Sequence, residues 1–195
     1  ICGLLHAESG TILINGKPLN KDSARIGYML QKDHLLEWRS IYRNVLLGLE
    51  IQGELTKDNL SYVDELLKIY ELDKFRDSRP SQLSGGMARR CALARAFHFG
   101  GEIFLMDEPF QGLDYGIRME MLSMLLSIWQ RERPGVLFVT HEIDEALTVA
   151  TRIAVLTPRP TAICQWFDLP GPEGRDASAP ELARLRQEII RRITG

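Results

Sequence analysis

Ile103-Phe104-Leu105-Met106-Asp107-Glu108-Pro109 is the stretch on which the fold turns. Four apolar residues run without alternation and stop at two carboxylates. Such a run suits a strand covered on both faces, as in a parallel sheet. Two runs of the same kind follow, Val136-Leu137-Phe138-Val139 and Ile153-Ala154-Val155-Leu156. Between them, Ile117 to Arg131 and Glu142 to Ala150 carry helical patterns. Strand, helix, strand, helix, strand is the signature of an α/β fold. In an open parallel sheet, ligands bind beyond the carboxyl ends of the strands. Asp107 and Glu108 stand there after the first run, and Thr140 and His141 after the second. An Asp-Glu pair alone reads equally as a solvated turn, and a lone His as structural. Together at neighbouring strand ends they read as a site.

Upstream, Thr11 to Ile14 followed by Asn15-Gly16 predicts a short strand entering a hairpin turn. Ile26 to Leu30 is a second short apolar run. Ser40 to Glu50 predicts a helix, and Thr56 to Leu72 a better one, capped by Thr56. Pro80 precedes a third helix, Ser84 to Phe99, which Gly100-Gly101 ends. After the apolar runs, Pro158-Arg159-Pro160 introduces a last strand, Ile163 to Phe167. A loop with Pro170, Gly171, Pro172 and Gly174 leads to a polar helix, Ala179 to Ile193.

At 195 residues the chain is one domain, or a domain with a small appendage. Apolar residues at 45% and charged residues at 26% are ordinary for globular proteins. A net charge of −2 argues against a dedicated nucleic-acid binder. No run of about eighteen apolar residues offers a membrane span. Cys2, Cys91 and Cys164 are too few and too scattered for a disulfide framework or a metal clip, so a reducing setting is expected. The opening, Ile1-Cys2-Gly3-Leu4-Leu5, has neither Met nor a basic leader and reads as a cut-off start. His6, His34 and His98 lack ligand-like spacing. Met119, Met121 and Met124 read as core, and Arg184, Arg186, Arg191 and Arg192 as a solvated face.

Leu83-Ser84-Gly85-Gly86 is the other anomaly. Ser84 is a good helix cap, yet two glycines in the first turn cost about 1 kcal/mol each against Ala. Glycines there expose backbone N–H groups to a bulky anion, and the helix dipole favours phosphate. Read in order, Gln31, Leu83-Ser84-Gly85-Gly86, Asp107-Glu108, Gly112-Leu113-Asp114 and His141 resemble the ATP-binding subunit of ABC transporters. They match the Q-loop, the signature motif, the Walker B strand with its glutamate, the D-loop and the switch histidine. Leu35-Leu36-Glu37-Trp38-Arg39 is similar to the Leu-Leu-Pro-Trp stretch of nitrate, sulfonate and taurine importers. Ser84-Gly85-Gly86-Met87, Asp107-Glu108-Pro109-Phe110 and the run from Val139 to Ala146 look like the same branch. Glu37, Ala88, Arg89 and Gln111 depart from its pattern.

The resemblance implies a P-loop NTPase-like α/β fold, with a mainly parallel core sheet and a helical subdomain, truncated at its N-terminus. One incomplete ATPase domain would fill 1–195. It would comprise the Q-loop, helical subdomain and signature helix over about 33–100, the Walker B to switch-histidine core over 101–168, and a tail over 169–195. ATP and Mg²⁺ are the implied cofactors. Asp107 would hold the metal, with Gln31 completing its sphere. Glu108 would be the general base, and His141 would fix the γ-phosphate and the water. Ser84, Gly85 and Gly86 would cover a nucleotide on the opposite subunit of a head-to-tail dimer, with Asp114 organising the seam. The segment from Lys32 to Val45 would dock transmembrane permease subunits at the cytoplasmic face of the membrane, with an extracytoplasmic solute-binding protein as indirect partner.

No Gly-x-x-x-x-Gly-Lys-Ser/Thr occurs in these residues. That loop cradles the α- and β-phosphates. The 195 residues alone are therefore expected to be inactive. Its leading strand is absent too, which would leave a gap in the sheet. An incomplete record of an importer ATPase, a non-hydrolysing docking subunit and an ABC ATPase unrelated to transport are the readings left. The intact Glu108 and His141 favour the first.

Overall fold

The structure, a computed structural model, describes residues 1–19, 26–98, 101–175 and 179–194. It forms two compact units, Ile1–Val139 and Thr140–Gly195.

In the first unit, β1 (Leu13–Ile14) and β2 (Lys17–Pro18) pair antiparallel across Asn15-Gly16. Both turn residues take positive φ, 51° and 75°, the conformation that an Asn-Gly hairpin supplies. The central sheet has the order β3 (Ile26–Met29), β4 (Ile103–Asp107), β5 (Gly135–Val139), all parallel. Ile26 stands opposite Ile103, and Asp107 opposite Val139. Gly27 allows β3 to pass close to its neighbours. A Cβ there would lie 2.6 Å from the Phe104 ring and 2.8 Å from the Ala96 carbonyl oxygen.

The helix expected from Ser40 to Glu50 is two helices, α1 (Ile41–Val45) and α2 (Leu47–Gln52), joined at Leu46. Gly53, at φ 70°, ends the second. α3 (Lys57–Ile69) starts at Thr56, whose hydroxyl accepts from the Asn59 N–H at 3.2 Å. α4 (Gly85–His98) packs against α1, α2, α3 and β3. Its expected end at Phe99-Gly100 lies outside the described residues. α5 (Tyr115–Glu132) follows β4. Ile41, Val63, Leu66, Leu67, Leu72, Leu93, Phe110, Met121 and Leu122 form the centre of this core, each buried. Each such side chain contributes about 1.5–3 kcal/mol of burial. Arg90 ties the surface together by pairing with Glu71 at 2.9 Å and with Glu120 on α5 at 2.7 Å.

The second unit carries α6 (Ile143–Val149), β6 (Arg152–Leu156), β7 (Ile163–Asp168) and α7 (Pro180–Thr194). β6 and β7 pair antiparallel, and Leu147, Ile153, Val155, Phe167, Leu169 and Ile189 form its core. Arg175 donates to the carbonyl oxygens of Leu147 at 2.5 Å and Ala150 at 2.8 Å, closing the end of α6. Arg186 faces Asp144 at 2.7 Å, so this member of the expected solvated arginine face has an ionic partner.

Of the three apolar runs read as strands buried on both faces, only β4 is one. β5 is largely exposed, with Val136, Leu137 and Val139 at the surface. Among the described strands it pairs on one side only. β6 alternates buried with exposed, because its antiparallel ribbon packs one face on α7.

Candidate functional site

The site is built at the carboxyl end of β4. Asp107 is its last residue and is half-buried. Glu108 follows at φ 45°, a left-handed conformation that costs a non-glycine residue about 1–2 kcal/mol. Two contacts hold it there. Its N–H donates to the Val139 carbonyl oxygen at 2.8 Å, extending the ladder one step past the strand. Phe110, two residues on, is buried completely and lies against Phe138 with ring centroids 5.8 Å apart. The chain thus turns sharply between two fixed points, with the Glu108 carboxylate at the turn.

Gln31, just beyond β3, reaches this turn. Its Nε2 donates to Glu108 Oε2 at 3.4 Å and also to the side-chain oxygen of Gln111. The structure thus brings Gln31 to Glu108, the residue that follows Asp107. Tyr28 on β3 lies near enough that desolvation and the Asp107 charge both raise its phenol pKa. Oxygen donors on Asp107 and Gln31 suit a hard cation, which commonly takes one or two carboxylates and fills its sphere with water and phosphate oxygens. Among the described residues, no three His, Cys, Asp or Glu side chains gather into a metal cage. A cation here would rest on few protein ligands.

Ser84 caps α4, and its hydroxyl accepts from the Met87 N–H at 3.3 Å. Gly85 has open space where a Cβ would stand, whereas a Cβ on Gly86 would touch Ile117 of α5 at 3.4 Å. Asp114 caps α5 by accepting from the Ile117 N–H at 3.0 Å. The Ser84-Gly85-Gly86 turn and the Asp114 cap therefore share one neighbourhood. His141 belongs to the second unit, is exposed, and has its Nε2 4.0 Å from Glu142. Beside it, Thr140 donates to the buried Glu145 carboxylate at 2.6 Å.

Sequence reasoning missed the residues that shape the segment after Gln31. Asn44, buried completely, accepts from the Leu36 N–H at 2.7 Å. Its amide donates to the carbonyl oxygens of Leu36 at 3.1 Å, Arg39 at 3.3 Å and Ser40 at 3.0 Å. Arg79 donates to the Trp38 carbonyl oxygen, and Arg39 pairs with Glu50. This scaffold presents Trp38 at 72% exposure beside an open cavity of about 450 Å³ lined by Arg39, Arg43 and Arg79 together with Glu50 and Asp77. The signal was present in the sequence: Asn44 shares the apolar helical face of Ile41 and Val45.

A model of the ABC transporter family matches residues 1–111. The chain is 38% identical over 197 residues to the taurine import ATP-binding protein TauB of Rhizobium johnstonii, covering 97% of this chain and 75% of that protein. It is 32% identical over 193 residues to the aliphatic sulfonates import ATP-binding protein SsuB of Bacillus cereus, covering 99% and 76%. Its fold matches a dimeric post-hydrolysis ATP-binding cassette, MJ0796 bound to ADP and phosphate, with a TM-score of 0.68 and 25% identity over 84% of this chain and 75% of that one. The chain belongs to the ABC transporter ATP-binding family, in the branch resembling taurine and sulfonate importers. Among the described residues, no helix is long and apolar enough to cross a membrane.

Proposed function

We propose that this chain is the ATP-hydrolysing subunit of an importer for a small solute of the taurine, sulfonate or nitrate kind. The observation that carries the reading is the contact between Gln31 and Glu108 at the end of β4, next to Asp107. Phosphoryl transfer needs a positioned water and stabilisation of charge on the phosphate oxygens. Glu108, held in a strained turn, is the general base that takes the proton of the attacking water. Gln31 orients that carboxylate. His141 fixes the γ-phosphate and the water. Asp107, with the Gln31 side chain, would hold Mg²⁺, which supplies charge neutralisation at the phosphate oxygens when bound.

Ser84, Gly85 and Gly86 cover the nucleotide of a second ATPase subunit, and Asp114 lies at the seam. The dimeric state of the similar ATP-binding cassette supports a dimer. The Trp38 surface receives the permease, with a solute-binding protein acting from the far side of the membrane. That places the chain at the cytoplasmic face. Both units belong to one ATPase domain.

The deciding experiment uses the full-length protein as its native cell makes it. Replacing Glu108→Gln should lower the MgATPase rate about 10²–10⁴-fold while nucleotide binding persists. An unchanged rate would remove Glu108 from the chemistry. The 195 residues alone, without a Gly-x-x-x-x-Gly-Lys-Ser/Thr loop, should show no turnover. A native product lacking that loop would favour the docking-subunit reading.

A further inference from the structure

Arg89 departs from the branch's usual signature, and the structure gives that departure a use. The side chain leaves the second turn of α4 and is only 6% exposed. Burying a guanidinium is costly unless its donors are matched. Here they are spent on one short segment. Arg89 donates to the carbonyl oxygens of Leu30 at 3.4 Å and Gln31 at 2.6 Å, and pairs with Asp33 at 2.9 Å. Further along α4, Arg95 donates to the Asp33 and His34 carbonyl oxygens at 2.6 and 2.8 Å. The residue gripped by its backbone, Gln31, is the one whose side chain reaches Glu108. A buried ion pair is weak evidence for stability, so packing alone does not call for this arrangement.

We propose that Arg89 is a positioning residue that ties Gln31 to the start of α4, so that movement of Ser84-Gly85-Gly86 is transmitted to the Glu108 carboxylate. The tie lies within one chain. What moves Ser84-Gly85-Gly86, a nucleotide on a second subunit, rests on the function proposed above. Each subunit would then sense its partner's nucleotide through α4 and adjust its own water-activating group. A planar fork serves this role better than an ammonium, because it reaches two carbonyl oxygens while pairing with a carboxylate.

The test uses the full-length protein and the variants Arg89→Met, Arg89→Lys and Gln31→Ala. In the nucleotide-free protein, Arg89→Met should raise amide exchange over residues 30–34 about tenfold, leaving residues 91–97 protected. The ATPase kcat should fall about tenfold for Arg89→Met alone, yet less than about twofold when Gln31 is already Ala, because both changes break one connection. Arg89→Lys should recover part of both losses. Losses that multiply in the double variant, or unchanged exchange over residues 30–34, would overturn the proposal. A wild-type protein without ATPase activity would sink the proposed function instead, and the exchange measurement would then decide the tie.

Discussion

Asn44 shows how one polar side chain can shape a surface some residues away. Its amide makes four hydrogen bonds to the backbone of Leu36, Arg39 and Ser40, all in the segment that carries exposed Trp38. Removing the amide would strand buried backbone groups without partners, at about 1–3 kcal/mol for each group left unsatisfied. Asn44→Ala should therefore lower unfolding stability by about 2–3 kcal/mol in a urea titration, since local relaxation offsets part of the loss. A change within about 0.5 kcal/mol would mean the loop holds its shape without the amide. Glu108 is the converse case. Its backbone strain is visible only in three dimensions, although the acid pair that ends an apolar run marked its position in the sequence.

At the scale of elements, the sheet depends on how closely its strands and helices approach. β3 passes between the Phe104 ring of β4 and the Ala96 carbonyl of α4 with no room for a Cβ at Gly27. Gly27→Ala must push ring or helix aside, and overpacking of this kind costs about 1–3 kcal/mol. A thermal melt of the variant should show the loss, and an unaltered midpoint would mean that the Phe104 ring yields freely. Element types were legible because the patterns were local: Thr56 and Ser84 both cap helices as expected. The break at Leu46 was not, since the apolar spacing runs straight through it. The exposure of β5 was equally hidden. Burial depends on what lies beside a strand, and an apolar run carries no record of its neighbours.

At the scale of the whole molecule, acid stability has a named contributor. His98, at the end of α4, is 4% exposed, and its Nε2 has no hydrogen-bond partner. Burial pushes its imidazole down to about 4, from an ordinary value near 6.5. Between those values the unfolded chain binds a proton that the folded chain refuses, so stability rises with pH across that window. The contribution is fully present above about pH 6.5 and is lost as pH falls through about 4. His98→Gln, which cannot titrate, should flatten the fall of the urea midpoint between pH 7 and 4. Identical pH slopes in the two proteins would show that the carboxylates alone set acid stability.

The sequence by itself determined the α/β alternation, the family and the order of the chemical groups along the chain. Each is written in local pattern: apolar runs ended by acids, glycines behind a capping serine, and their succession. Tertiary structure alone decided that Gln31 meets Glu108, that Glu108 is held in a left-handed turn, and that Arg89 and Asn44 grip the segment between them. These contacts join residues up to 77 positions apart. Their partners are chiefly backbone carbonyls, which every residue carries and no sequence pattern marks. Only the packing of α4 and β4 against that segment selects which of them are used.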